Sequence, residues 1–122
     1  MGDILFNVRF IFSPGSCGWF CLRFILKKKV EKKCYLSLLE MKKILNKNNY
    51  CCVCIKIFEL KDVFCECLTL IKNKKDYHYV VLKKVEKGYV FFYDPLFISL
   101  RKKKASWFAP KWCNFCLIYT KV

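Results

Sequence analysis

The stretch DYHYVVLKKVEKGYVFFYDP, residues 76–95, constrains the fold of this chain more than any other. Two runs rich in β-branched and aromatic residues, YHYVVLKKV and GYVFFYD, are separated by Glu86 and Lys87. That pattern predicts a β-hairpin. The register of a hairpin is set by its turn, so a short turn near residues 85–88 puts position 78 opposite roughly 94–97. His78, the one histidine of the chain, opens the first run, and Asp94 closes the second. Strand pairing is expected to bring the two side chains together.

The flanking sequence supplies layers to cover such a hairpin. Residues 4–12, ILFNVRFIF, read as an extended entry segment, and SPGS at 13–16 as a turn in which Ser16 acts as helix N-cap. In residues 17–30, Trp19, Leu22, Ile25 and Leu26 follow helical spacing, while Phe20 and Phe24 make the run apolar nearly all round. A helix of that kind is buried on most sides. A second helix is expected over 36–48, through Leu38, Met41 and Leu45, ending at Asn46, Asn48 and Asn49. From residue 50 the character becomes β-like: YCCVCIKIF at 50–58, a short ELKDV segment, then ECLTLI. KNKKD at 72–76 reads as a polar loop, RKKKASWFAPKW as a basic loop with at most one short helical turn, and NFCLIYTKV as a closing strand. Two helices followed by mainly antiparallel strands make an α+β fold, and 122 residues suffice for a single domain, 1–122, with one core.

The formal charge of +15 admits an anionic surface, nucleic acid or membrane, as partner. Lys, Asn, Phe and Ile all have AT-rich codons and are abundant here, so codon bias accounts for much of the charge. The lysine runs at 27–29 and 102–104 fall at the ends of expected elements, and none of the nucleic-acid readout signatures is present. Nucleic acid is therefore not expected as a partner. Asp3 and Arg9 argue against a signal peptide. Arg9, Pro14, Arg23 and Asp94 break every apolar run before the ~18 residues of a membrane span, and Phe6 spoils a myristoylation motif at Gly2. A soluble, cytoplasmic protein is expected, with no cofactor.

Ten cysteines would suggest a disulfide scaffold in a secreted chain. Here most lie in apolar, alternating runs and read as small core residues, with Cys52, Cys54, Cys65 and Cys67 expected to be packed and unligated. The two CxxC pairs, Cys51 with Cys54 and Cys113 with Cys116, invite a zinc reading. On strands, however, residues three apart face opposite sides, so no metal is assigned.

Cys17 stands apart from the other thiols. It follows a Pro-Gly-Ser turn and opens the first apolar helix, between Gly15 and Gly18, which would keep the approach to the thiol open. A helix start and a nearby imidazolium both stabilise a thiolate. A thiol at a helix start, a histidine on a strand and a carboxylate on the next strand are the parts of a papain-type cysteine peptidase. Cys17 would be the nucleophile, His78 the base, and Asp94 the group that fixes the ring.

SCGWFCLRFILKKK, DYHYVVLKKVEKGYVFFYDP and SWFAPKWCNFCLIY together resemble the bacteriocin-processing peptidase domain, the N-terminal cytoplasmic domain of ABC exporters that cuts leader peptides after a Gly-Gly pair. The resemblance runs from about residue 10 to the end. It implies a papain-like fold, catalytic Cys17, His78 and Asp94, a double-glycine leader peptide as substrate, and an ABC exporter at the cytoplasmic face of the membrane as partner. Two positions depart from that family: Ile11 stands where it has the oxyanion-hole glutamine, and Ser16 where it usually has Asp. Losing an oxyanion donor costs on the order of 10²–10³ in rate; the Cys17 backbone N–H remains, with Ser13 and Ser16 as nearby hydroxyls. The helical middle is shorter than in that family, and an exporter's membrane and ATPase parts are not in the sequence. The chain thus reads as a stand-alone domain, a split gene or a truncated product. The alternative function is a degenerate, peptidase-like docking module that binds without cutting.

Overall fold

The computed structural model describes residues 16–28, 36–73 and 76–122. Its elements in chain order are helices α1 (Ser16–Leu26) and α2 (Leu38–Lys47), strand β1 (Tyr50–Lys56), a 3-10 turn (Leu60–Asp62), strands β2 (Cys67–Asn73), β3 (Asp76–Glu86), β4 (Tyr89–Asp94) and β5 (Ser99–Lys104), helix α3 (Ala105–Phe108), a second 3-10 turn (Ala109–Lys111) and strand β6 (Trp112–Lys121). The strands form one antiparallel sheet in the order β1-β6-β2-β3-β4-β5. This is the expected α+β, papain-like architecture. The expected entry segment at 4–12, the SPGS turn up to Gly15, Ile11 and Lys29 lie outside the described residues. Helix α1 starts at Ser16 itself, so the position before the helix falls outside them too.

Both faces of the sheet are covered, which is why β3 reads as the unbroken apolar run VVL. Val81 faces α1 and α2, joining Leu68, Tyr93 and Leu117 under Leu22, Ile25, Met41 and Leu45. Its neighbours Val80 and Leu82 face the other way, into a cluster with Phe92, Phe108 and Trp112. Helix α1 buries Cys17, Cys21, Leu22 and Ile25 but leaves Arg23 exposed, so it is buried on one face with half-buried flanks rather than all round. Helix α2 is fixed at its start by a capping box: the Ser37 hydroxyl accepts from the Glu40 backbone N–H, and the Ser37 N–H donates to Glu40 Oε1, both at 3.1 Å.

The hairpin forms with Glu86 opposite Tyr89, leaving Lys87 and Gly88 as a two-residue turn with φ of 51° and 80°. Two successive positive φ angles suit the right-handed twist of the strands. Beyond the turn, Lys83 is an extra residue between the pairs Leu82↔Phe92 and Lys84↔Phe91. Three expectations need correction. The basic stretch 101–104 is not loop but most of β5, paired along β4 from Tyr89↔Lys104 to Asp94↔Ser99. Lys72, Asn73 and Asp76, assigned to a polar loop, belong to β2 and β3. Cys113 and Cys116 do not face opposite sides: Asn114 between them has φ 69°, and both pack against the cluster of Phe108 and Trp112.

Candidate active site

Asp94 is, with Thr69, one of two buried polar side chains among the described residues. It ends β4 and is 1% exposed. The Leu96 backbone N–H donates to Oδ1 at 3.0 Å, a turn-forming contact of the kind an Asp-Pro step favours. Arg101 Nη1 donates to Oδ2 at 2.9 Å, and His78 Nε2 stands 3.3 Å from Oδ1. Burial pushes the Asp94 carboxyl up, but His78, Arg101 and the Leu96 amide outweigh it and hold the group below its ordinary value. A buried carboxylate satisfied in this way is ionised at neutral pH, as an orienting group for histidine must be.

His78 lies near the start of β3 on the same face as Val80, with its side chain 12% exposed. The β3–β4 register puts Val81 opposite Tyr93, so Asp94 comes one pair closer to the start of β3, within diagonal reach of His78. The 3.3 Å contact is off-axis, a Coulombic approach rather than an aligned hydrogen bond, and both ring nitrogens are shielded from solvent. With Nε2 turned to Asp94, Nδ1 is the nitrogen left for other chemistry.

Cys17 comes to this region from the helical layer. It is in the first turn of α1, 9% exposed, and its Sγ accepts from the backbone N–H of Tyr79, the residue after His78, at 3.4 Å. The thiol thus sits against the strand that carries the histidine. Cys21, one helical turn on, is fully buried. Its pKa is pushed well up by burial, then by Cys17 and Asp94, which leaves it an inert thiol. Tyr79 is pushed up to about 12 by burial and by Cys17 and Cys21. Gly18 does not serve to open the approach to the thiol: a Cβ there would meet Met41 Cε at 3.2 Å and Leu36 Cβ at 3.4 Å, so this glycine lets α1 close on the second helix.

The remaining thiols divide by strand position. Cys67 is fully buried and Cys52 and Cys65 are half-buried, but Cys54, expected to be packed, is exposed on β1. Among the described residues no group of three or more metal-ligating side chains converges, and no helix is long and apolar enough to cross a membrane.

Arg101 is the site residue that the sequence did not reveal. It pairs opposite Phe92 on β5, and its guanidinium lies 4.1 Å over the Phe97 ring. The available signal was the single arginine in a lysine run: bidentate-capable, planar and suited to a buried carboxylate in a way lysine is not. Beside it a pocket of about 170 Å³ opens against His78 and Asp94, bounded by Phe97, Trp107, Lys72 and Lys111.

A model of the peptidase C39 family matches residues 31–122, a span that takes in His78 and Asp94 but not Cys17. Among solved structures, a double glycine motif protease from an AMS/PCAT transporter, in complex with the leader peptide, is 20% identical with a TM-score of 0.70 over 87% of this chain and 84% of that one. The peptidase domain of Streptococcus mutans ComA, bound to a small-molecule inhibitor, is 16% identical with a TM-score of 0.66 over 82% of this chain and 90% of that one. A Streptococcus ComA peptidase domain, described as part of a bi-functional ABC transporter in a quorum-sensing pathway, is 16% identical with a TM-score of 0.63 over 87% and 91%. At these identities the likeness is one of fold. No curated protein matches the sequence.

Proposed function

The chain belongs to the peptidase C39 family and is thereby a cysteine-type endopeptidase; we propose that it cuts a leader peptide after a Gly-Gly pair, using Cys17, His78 and Asp94. In this reading Cys17 is the nucleophile, His78 the general base and then acid, and Asp94 the positioning carboxylate. The observation that carries it is the meeting of His78 with a fully held Asp94 on one strand pair, with the Cys17 sulfur against the very next peptide N–H.

The chemistry follows from these placements. The Asp94 carboxylate, 3.3 Å from Nε2, favours the tautomer that carries its proton on that nitrogen and leaves Nδ1 as the base. His78 takes the thiol proton. The Tyr79 N–H and the start of α1 both favour the negative sulfur. The thiolate attacks the scissile carbonyl carbon, and the backbone N–H of Cys17, in the first turn of α1, is placed to donate to the resulting oxyanion. The C–N bond breaks as the His78 imidazolium gives its proton to the leaving amine. Water, deprotonated by His78, then hydrolyses the thioester. Two glycines before the cut suit a thiol that is only 9% exposed, since the peptide backbone must approach it closely. The likeness to peptidase domains of ABC transporters supports work at the cytoplasmic face of a membrane beside an exporter.

The test is incubation of the full chain with a synthetic leader peptide containing one Gly-Gly pair, with products read by mass spectrometry. Cleavage after the second glycine is expected, and its loss in Cys17→Ala and in His78→Ala. Cleavage that survives Cys17→Ala, or a peptide that is bound and never cut, would overturn the assignment.

A further inference from the structure

The pocket beside His78 has a chemical character that the cleavage reaction does not account for. Three cations line it, Lys72, Arg101 and Lys111, against a single carboxylate, Asp94. That carboxylate is committed to Arg101, the Leu96 amide and His78. Lys72 and Lys111 make no ion pair among the described residues. Lys111 is nevertheless held in place, its Nζ lying 4.8 Å from the centroid of the Trp107 ring, which leaves its N–H groups free to face the opening. Apolar walls from Phe97 and Trp107 lower the local dielectric and strengthen any charge interaction inside.

Position and size identify the occupant. Among the described side chains none from α1, the helix that carries Cys17, lines the pocket, whereas His78 and Asp94 both do. After attack the acyl half of a peptide remains on Cys17, and the amine that departs is the one protonated by His78. A pocket that touches His78 but not the thiol's helix therefore serves the residues after the cut. At about 170 Å³ it is well below the roughly 300–1,000 Å³ of a drug-sized ligand site and fits one side chain.

We propose that this pocket is a specificity subsite for an acidic side chain, Asp or Glu, within the first two residues after the scissile bond, with Lys111 and Lys72 as its recognition groups. The inference rests on the peptidase reading for its orientation and goes beyond it in naming what the substrate carries on its leaving side.

The test uses the full chain and leader peptides that differ only in the residue after the Gly-Gly pair: Glu, Gln or Lys, with a second set varied one residue further on. In at least one set kcat/KM should fall in that order, with roughly tenfold between Glu and Lys, because the change replaces attraction by repulsion in a half-buried site. The ratio should shrink as salt is added. Lys111→Glu should reverse the order while still cutting the Lys peptide, and Lys72→Glu should act in the same direction; thermal melting checks that both variants fold. Equal kcat/KM for all the peptides, with cleavage still dependent on Cys17, would overturn the subsite and leave the peptidase reading intact. Should no peptide be cut, binding of fluorescein-labelled Glu and Lys peptides to the Cys17→Ala chain decides. A preference for Glu that Lys111→Glu reverses would keep the subsite and remove the peptidase reading, and binding without charge preference would overturn the subsite.

Discussion

The histidine–aspartate half of the site and the cysteine half are built by different means. His78 and Asp94 sit on adjacent strands of one hairpin, and a third strand supplies Arg101 to the same carboxylate. Their mutual placement is a matter of strand register, fixed by the Lys87-Gly88 turn. Cys17 lies far away in sequence and reaches β3 only because α1 docks on the sheet through Cys21, Leu22 and Ile25. The first half is local and held by a network of charge and hydrogen bonds. The second is non-local and rests mainly on packing of the helix against the sheet, with the Tyr79 N–H donating to the Cys17 sulfur. Damage to the two halves should therefore look different: lost chemistry in a stable fold on one side, lost docking of the helix on the other.

The largest effect is expected at Asp94. Asp94→Asn keeps the shape but removes the charge and turns one acceptor oxygen into an NH2 donor, so the side chain cannot serve both Arg101 and the His78 tautomer, and kcat for leader cleavage should fall by up to about 10⁴-fold; a drop of less than tenfold would mean that His78 is oriented by something else. On the packing side, Leu22→Ala removes a fully buried side chain from under α1. It should cost about 2–5 kcal/mol in denaturant unfolding, and cleavage should fall with the fraction of α1 that undocks, recoverable at lower temperature. Arg101→Ala sharpens the contrast. It removes a hydrogen bond to a buried carboxylate, worth about 1.5–3 kcal/mol, and it should do so in a pH-dependent way. Because the Asp94 pKa is lowered in the folded state, its stabilisation is fully present above the unfolded carboxyl value of ~3.9 and is lost as pH falls through the folded value. Without Arg101 that loss should begin at higher pH, seen as a raised acid-unfolding midpoint relative to the parent. An unchanged midpoint would remove Arg101 from the network. The smallest effect is expected for Gly18→Ala. The added methyl would press on the flexible end of Met41, while the helix gains up to ~1 kcal/mol in propensity, so stability should change by less than about 1 kcal/mol.

The same division explains what could be read from the sequence. The hairpin and the His78–Asp94 meeting were legible because turn chemistry and strand alternation are local. So was the second helix, although its capping box at Ser37 and Glu40 went unread. Strand β5 was missed because SLRKKK looks like solvated loop. Arg101 and Lys103 are half-buried there and Lys102 and Lys104 exposed, with Lys102 lying 4.4 Å over the Tyr89 ring and Lys103 5.1 Å over Trp107. These two ammonium groups lie over aromatic faces along the outer strand of the sheet, where charge disfavours edge-to-edge pairing. Missing that strand meant missing the partner of Asp94. The CNFC motif misled for a related reason. The strand rule of alternate faces fails where Asn114 adopts a left-handed conformation, its amide donating to the Ile57 and Phe58 carbonyls. Gly18 was read as clearance for a substrate, when its space is taken by Met41 from a helix whose docking no local pattern predicts.

The central claim is that Cys17 is chemically activated by its setting, and alkylation measures this directly. Among the described thiols, exposure alone would make Cys51 and Cys54 the fastest, since both are exposed while Cys17 is 9% exposed. Iodoacetamide labelling of the full chain against pH, with each cysteine read by mass spectrometry, should find Cys17 labelled fastest near neutral pH. That advantage should be lost in His78→Ala. Labelling of Cys17 no faster than that of Cys51 and Cys54, and indifferent to His78, would contradict the account.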